Sequence, residues 1–390
     1  MYLRDVGILL ALLPGLLFGY AYLVYPLLLK IWGAFRPDPP RIPDPAEWPL
    51  ISIVVPAYNE EHAIRRTIEA LLALDYPVDR RQILIVSDAS SDGTDDVVRE
   101  YAHRGIELLR LPERSGKTAA ENAALPHLRG GIVVNTDATI RILPTALKPL
   151  IRVFQDPTIG VASGRDVSVG ALTVEANQGE SGYVGYEMWV RSLETRVGSI
   201  VGASGCFYAI RLELHETLVP AALSRDFASA LTAREQGYRA VSVEDAVCLV
   251  PRTVSLQREY RRKVRTMARG LETLWFKRHL LNPFRHGRFA WMLWSHKLIR
   301  WLVFLVSPVA FLALGALAIW YPVARVAFGL ALVGVSLGLV AMRVPEGRRL
   351  PRLVALCGFV LATHLAGFLA WTRALRGELN PIWEPTRRPV

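Results

Sequence analysis

Apolar residues are distributed along this chain in two ways. Toward its ends they form long uncharged runs, residues 6–29 (24 residues), 301–324 (24), 326–342 (17) and 353–372 (20, with His364 neutral). A helix needs about 20 such residues to cross roughly 30 Å of hydrocarbon, so four spans are predicted. Between the ends, short β-branched runs alternate with amphipathic stretches. Strands are predicted at Ile51 to Val55, Gln82 to Val86, Ile106 to Leu109 and Gly131 to Thr136. The intervening segments Glu60 to Leu74, Asp92 to Tyr101 and Lys117 to Leu125 read as helices, the first with Ala63, Ile64, Ile68, Leu71 and Leu72 on one face. Continuously apolar strands alternating with helices predict an α/β domain with a doubly wound, mostly parallel sheet.

Punctuation along the chain sets the boundaries. Residues 1–33 form an N-terminal anchor, and Pro37, Pro39, Pro40, Pro43, Pro45 and Pro49 stiffen a linker over 34–49. The α/β domain is expected over 50–250, basic amphipathic interface helices over 251–298, and a C-terminal transmembrane region of about three spans with a tail over 299–390. The first run is read as an uncleaved anchor because it exceeds a signal peptide's usual apolar core and leads into Lys30 and Trp32 without a small-residue cleavage site. Lys30, Arg36 and Arg41 follow it, which by the positive-inside rule puts the domain in the cytoplasm, under a multi-pass plasma (inner) membrane placement. Arg343, Arg348, Arg349 and Arg352 are cytoplasmic on the same count. Four crossings then leave Arg373, Arg376, Arg387 and Arg388 outside, so either one run does not cross or the rule fails for the tail.

Composition sharpens this picture. Apolar residues make up 52% against 21% charged, which excludes a disordered or low-complexity chain. Between Pro251 and Arg300 stand thirteen Lys or Arg against Glu259 and Glu272, a local excess equal to the whole formal charge of +11. Cys206, Cys248 and Cys357 form no C-x-x-C pair, so a disulfide scaffold or structural zinc is not expected and a reducing compartment fits.

In doubly wound sheets, ligands bind at the carboxyl ends of the strands. Those ends read Pro56-Ala57-Tyr58-Asn59-Glu60, Ser87-Asp88-Ala89-Ser90-Ser91-Asp92 and Asn135-Thr136-Asp137-Ala138-Thr139, each with a carboxylate. No G-x-G-x-x-G follows the first strand, and Leu111 stands where a phosphate loop ending in Gly116-Lys117-Thr118 would need glycine. Dinucleotide and ATPase sites are therefore not expected. Carboxylates at strand ends suit a divalent cation holding a diphosphate. Asp92 reads as a helix cap or turn residue, and Asp245 as the start of a buried strand.

Together these segments resemble the family 2 glycosyltransferases, inverting enzymes with a GT-A nucleotide-sugar domain, and in particular their membrane-anchored, cellulose-synthase-like branch. The resemblance covers roughly Leu50 to Leu274. It implies that Ala57, Tyr58 and Glu60 line the uridine pocket of a UDP-sugar donor, that Asp88 faces the base and that Lys117 neutralises the diphosphate. Asp137 would be the first acid of the D-x-D metal motif, for Mg2+ or Mn2+, with Thr139 where the second acid usually stands. Gly202, Ser204, Gly205 and Cys206 resemble the family's acceptor loop. Ser224-Arg225-Asp226 stands at the family's Glu-Asp motif, making Asp226 the expected general base, although Arg225 replaces the acid before it.

The basic segment lacks the family's Q-x-x-R-W, since Gln257 is followed by Tyr260 and Arg261 at that interval. Arg262 or Arg265 is expected to contact the leaving diphosphate. Arg258, Arg261, Arg262, Lys263, Arg265 and Arg269, with Trp275, Phe276, Trp291 and Trp294, read as interface helices on anionic membrane lipids and not as a nucleic-acid surface. The acceptor would be a glycan or a lipid-linked molecule. A processive polysaccharide synthase, completed by a homo-oligomer or partners, and a non-catalytic scaffold that keeps the nucleotide fold are the rival readings.

Overall fold

The computed structural model describes residues 2–37, 42–169, 175–251, 256–344 and 350–378, without the side chains of 2–3, 175–181 and 256–259. Pro39, Pro40, Arg41, Arg348, Arg349, Arg387 and Arg388 lie outside the described residues, as do the side chains of Gln257 and Arg258.

Eight strands form one sheet: β1 (Ile51–Ala57), β2 (Arg81–Ser87), β3 (Ile106–Arg110), β4 (Ile132–Thr136), β5 (Arg141–Ile142), β6 (Ile159–Val169), β7 (Phe207–Arg211) and β8 (Arg239–Pro251). Their order is β3-β2-β1-β4-β7-β6-β8-β5. The first four pair in parallel, as their unbroken apolar runs predict. Beyond them the sheet is mixed: β7 runs antiparallel to β4 and β6, and β5 antiparallel to β8, while β6 and β8 are parallel. Every residue of β1 is buried, and its side chains alternate between two cores. Ile51, Ile53 and Val55 meet Ile64, Ile68 and Leu71 of α3 (Glu61–Leu72), while Val54 packs with Ala120 and Ala124 of α5 (Lys117–Ala124) on the opposite face. Helices α4 (Thr94–Glu100) and α6 (Leu147–Arg152) complete this half. Asp245 does not start a strand. It lies exposed inside β8, where the pairing with β6 skips from Ser242 to Val247 in a bulge.

One buried hydroxyl ties down the amino ends of the strands. Ser52 Oγ donates to Gln82 Oε1 (2.6 Å) and accepts from Arg129 N (3.1 Å) and Gly130 N (2.8 Å), joining β1, β2 and the turn into β4.

The remaining α-helices among the described residues are α7 (Glu175–Val197), α8 (Leu212–His215), α9 (Arg225–Glu235), α10 (Leu256–Phe276), α11 (Pro283–His286), α12 (Arg288–Leu293), α13 (Ile299–Ala318), α14 (Pro322–Arg343) and α15 (Arg352–Arg376), with α1 (Tyr2–Gly19) and α2 (Tyr25–Ala34) at the start. Short π-helical turns, Tyr20–Val24 and Trp294–Leu298, join α1 to α2 and α12 to α13. Among the described residues, four helices are long and apolar enough to cross a membrane: Arg4–Ala34, Arg288–Ala318, Pro322–Arg343 and Arg352–Arg376.

The anchor and α13 meet the domain through a buried polar network. Tyr25 Oη donates to Glu194 (2.5 Å), His296 bonds Glu194 through Nδ1 (2.6 Å) and Glu187 through Nε2 (2.8 Å), and Arg300 donates to Glu187 (2.9 Å). From there α13 and α14 form a hairpin, with Arg325 donating to Ala318 O (3.1 Å) and a Cβ on Gly315 falling 3.1 Å from the Phe328 ring. Helix α15 lies against the other ends of that hairpin: a Cβ on Gly338 would come 2.9 Å from Cys357 O, the Phe304 ring meets His364 at 5.3 Å, and Trp371 Nε1 donates to Trp301 O (2.9 Å).

A Cβ on Gly130 would stand 2.4 Å from the Ile51 carbonyl carbon and the Ser52 nitrogen, backbone atoms that cannot step aside. Gly130→Ala is therefore expected to lower stability by at least about 1–3 kcal/mol, as overpacking does. A chemical-denaturation midpoint checks it, and an unshifted midpoint would show that the turn is looser than this packing.

Candidate active site

The site grows from the carboxyl ends of β1, β2 and β4. Asp88 follows β2 directly and is buried, with its N–H on Ala57 O (2.8 Å). Its carboxylate takes the backbone N–H of Ser115 on Oδ1 (2.7 Å) and of Gly116 on Oδ2 (2.8 Å). Asp88 thus fixes the loop that enters α5. Gly116 has φ 92°, a left-handed conformation that glycine adopts without strain, and the next residue, Lys117, opens the helix. Tyr58, next after β1, lies under the Arg114 guanidinium, whose central carbon is 3.9 Å from the tyrosine ring centroid. Ala57 is buried at the end of β1, and Glu60 accepts the first α3 N–H groups on its carbonyl while its own N–H bonds Thr94 Oγ1 (2.8 Å). Asp92 caps, as expected: it accepts from Thr94 N (3.0 Å) and Glu61 N (3.2 Å).

Lys117 is the hub. Its ammonium donates to Asp137 Oδ1 (2.6 Å), just past β4, and to Gly205 O (2.9 Å), with Glu121 at 3.9 Å. Burial by itself lowers the ammonium pKa, but the carboxylates of Asp137, Glu121 and Asp226 outweigh it and push it above its usual value. Asp137 and Asp226 thus converge on one cation, and Asp88 holds the loop that delivers it.

Asp226 sits in the first turn of α9, with Oδ1 accepting from Ser224 Oγ (2.6 Å). A Cβ on Gly205 would fall 2.9 Å from Asp226 Oδ2, so a side chain at 205 would push on this carboxylate. The loop is pinned along its length. Ser204 N donates to Ser163 Oγ (2.8 Å), Ser204 Oγ to both oxygens of Asp166 (2.7 and 2.8 Å), and Cys206 N to Ser204 Oγ (3.1 Å). Thr136 Oγ1 holds Cys206 O (2.9 Å), and Gly202 packs under Phe227 and Lys297.

Three residues escaped the motif reading. Glu121 is 1% exposed, neither of its oxygens has a hydrogen-bond partner, and burial first of all raises its pKa. It stands 3.8 Å from Arg225 Nε. That arginine, also buried, donates to His215 Nδ1 (3.1 Å) and to Asn122, and the His215 ring is held neutral by burial and by this cation. Arg225 therefore points away from the cleft and braces α5 against α9. Asp166, on β6, is the acid under the loop. Arg269 on α10 donates to Ala221 O (2.9 Å), Ala222 O (3.1 Å), Leu223 O (2.7 Å) and Thr118 Oγ1 (3.0 Å), clamping the segment before Asp226. Arg262 and Arg265, the expected diphosphate contacts, stand two turns and one turn earlier on α10, both half-buried. The sequence signal for Arg269 was only its place in a basic helix.

Among the described residues no group of three His, Cys, Asp or Glu side chains is arranged to hold an ion alone. Asp137, with Thr139 at the position of a second acid, supplies one carboxylate, which fits an ion that brings diphosphate oxygens as its other ligands.

The parallel half-sheet, its acid-bearing ends and the mixed second half define a nucleotide-sugar domain of GT-A type. Residues 52–218 match the model of glycosyl transferase family 2, and the protein carries a family 2 glycosyltransferase domain. It is 25% identical to the mannosyltransferase PcManGT from Pyrobaculum calidifontis, solved in complex with GDP-Man and Mn2+, with a TM-score of 0.72 over 96% of this chain and 99% of that one. It is 36% identical over 97 residues to the "Probable glycosyltransferase YdaM" of Bacillus subtilis (strain 168), covering 24% of this chain and 23% of that protein. Against a "Beta-monoglucosyldiacylglycerol synthase" of Trichormus variabilis it is 29% identical over 157 residues, 39% of this chain and 33% of that protein. The match thus spans less than half the length of either curated relative.

Gly205→Ala is expected to displace the Asp226 carboxylate. Displacements of about 1 Å at a reacting group cost on the order of 100-fold in rate. Sugar transfer should fall by that order while nucleotide affinity stays within a factor of two or three, and unchanged transfer would mean that Asp226 does not act against this loop.

Proposed function

We propose that the protein is a membrane-embedded inverting glycosyltransferase that takes a nucleoside diphosphate sugar, a UDP-sugar first, and transfers the sugar to a glycan or lipid-linked acceptor at the cytoplasmic face of the plasma membrane. The observation that carries this reading is the convergence of Asp137, Lys117 and Asp226 beside Gly205. The residues have separate tasks. Lys117 offers a full positive charge to the diphosphate, whose negative charge grows as its bond to the anomeric carbon breaks. Asp226 accepts the proton of the acceptor hydroxyl. The freed oxygen attacks the anomeric carbon from the side opposite the diphosphate, and the nucleoside diphosphate leaves. Asp137 would hold Mg2+ or Mn2+ together with the diphosphate, and the ion would supply further charge neutralisation. Ala57, Tyr58, Glu60 and Asp88 shape the nucleoside end, Asp88 through the 115–116 backbone it grips. Gly202, Ser204, Gly205 and Cys206 form the acceptor wall. The GDP-Man complex of the archaeal neighbour makes GDP-sugars the second donor class to screen.

The membrane-face assignment rests on adjacency. Phe227, next to Asp226, stacks edge-on against Trp301 at the start of an apolar helix (6.1 Å between centroids). An acceptor hydroxyl at headgroup depth would reach Asp226 without leaving the leaflet. Trp275, Phe276 and Phe284 are exposed beside the exposed Arg278 and Arg285, a surface suited to anionic lipid.

Purified full-length protein in lipid, screened against UDP-, GDP- and dTDP-sugars with Mg2+ and Mn2+, tests the proposal. Asp137→Ala should weaken donor binding at least tenfold by calorimetry. Asp226→Asn should keep donor binding and lose about 100- to 10,000-fold in turnover, the usual contribution of a general base. Transfer that survives in Asp226→Asn would remove that residue from the mechanism.

A further inference from the structure

We propose that Lys117 is the resting counter-ion of Asp137 and gives way to a divalent cation only when a nucleoside diphosphate arrives to receive its ammonium. This rests on the reading of Asp137 as the ligand of the ion. The ammonium sits 2.6 Å from Asp137 Oδ1, on the carboxylate that an incoming ion requires. Two cations cannot share that oxygen at contact distance, so an ion arriving alone meets the repulsion of a buried positive charge. A diphosphate reverses the balance: it offers Lys117 new anionic oxygens and supplies the ligands that Asp137 cannot provide alone. Glu121, 3.9 Å from Lys117 and without hydrogen bonds of its own, offers the ammonium a second carboxylate as it moves. Because the same ammonium holds Gly205 O (2.9 Å), its departure also loosens the loop that touches Asp226, so donor arrival is transmitted to the acceptor wall.

Electron paramagnetic resonance of free Mn2+ gives the test in full-length protein. Wild type should bind Mn2+ alone at least tenfold more weakly than with whichever of UDP and GDP it binds. Lys117→Met should bind Mn2+ alone at least tenfold more tightly than wild type, yet bind nucleotide with Mn2+ at least tenfold more weakly. The gain should vanish in Lys117→Met/Asp137→Asn, which separates it from stray surface sites. A natively melting Lys117→Met with unchanged Mn2+ affinity would overturn the exchange. That comparison needs no nucleotide, whereas failure of the wild type to bind any nucleotide would sink the transferase reading itself.

A second inference comes from the membrane helices. We infer that α15 does not cross the bilayer but lies over the domain-side ends of α13 and α14. Helix α13 leaves the domain at Arg300, which pairs with Glu187, and α14 returns beside it. At 1.5 Å per residue, Phe304 and Trp301 lie about 21 and 26 Å back from Ala318, and Gly338 lies about 24 Å along from Pro322. Helix α15 meets these levels through Cys357 and Leu361 at Gly338, His364 and Gly367 at Phe304, and Trp371 at Trp301. The fifteen residues from Cys357 to Trp371 therefore pass at nearly constant depth, where a crossing helix would descend by about 21 Å. Both its flanks, Arg352 and Arg373 with Arg376, then stay on the side of the domain, and the positive charges no longer contradict one another.

Single cysteines at Arg4, Arg343 and Arg376, introduced with Cys206, Cys248 and Cys357 changed to serine, decide the point in sealed cells. A membrane-impermeant maleimide added outside should label Arg4→Cys and spare both Arg343→Cys and Arg376→Cys until the membrane is opened. Outside labelling of Arg376→Cys would establish a fourth crossing. Retained nucleotide binding shows that the serine background is folded, and a maleimide gel shift on protein that keeps the native cysteines repeats the comparison if it is not.

Discussion

A buried ammonium among carboxylates governs this molecule. Lys117 joins helix α5 to β4 through Asp137 and to the 202–206 loop through Gly205 O, and the carboxylates of Asp137, Glu121 and Asp226 hold its ammonium charged despite its burial. The surrounding architecture serves to deliver it. Asp88 grips Ser115 and Gly116, the left-handed Gly116 turns the chain, and α5 starts with Lys117 aimed at the ends of the strands. Remove the cation and Asp137, Glu121 and Asp226 repel one another; remove the acids and a desolvated lysine has no reason to remain charged.

Much of this was legible in the sequence, for a definable reason. Strands buried on both faces leave unbroken β-branched runs, so β1 to β4 could be read directly, and the rule that ligands sit at strand carboxyl ends brought Asp88 and Asp137 to one edge. The second half of the sheet was not legible. β6 and β8 are half-exposed, mixed in direction and bulged, so their patterns are broken, and Asp245 was assigned to a buried start when it lies in the bulge. Glu121, Asp166 and Arg269 were missed because each acts on a segment distant in sequence: Glu121 on Arg225, Asp166 on Ser204, Arg269 on the carbonyls of 221–223. Hydropathy likewise counts the length of an apolar helix, and four helices of sufficient length were read from it, but it carries no information on their depth.

The domain and the membrane helices are mechanically one piece. Arg269 and Thr273 of α10 hold the backbone just before Asp226, Gly270 of the same helix packs on Trp301, and Phe227 touches that tryptophan from the other side. The network of Tyr25, Glu194, His296, Glu187 and Arg300 adds direction more than stability. In Glu187 the cost of burial is outweighed by His296 and Lys297, which hold its carboxyl well below the usual range. Such buried pairs gain little net energy over apolar packing but penalise every misaligned docking, because any slip strands a charge. They fix how the domain sits on the apolar helices.

The departures from the family pattern acquire a physical sense from these contacts. Arg225 stands where an acid is usual, yet its guanidinium turns away from the cleft toward His215, Asn122 and Glu121. A carboxylate from α5 thus neighbours the Asp226 turn in place of one from α9, and the charge balance around Lys117 is kept by a different element. Thr139 leaves the motif with a single acid, so under the proposed reading of Asp137 the ion would take more of its ligands from the diphosphate than from the protein. A site with one such carboxylate, itself paired with Lys117, would have little affinity for a bare cation. Metal and donor would then behave as a single ligand, and the two unusual positions would be parts of one electrostatic design.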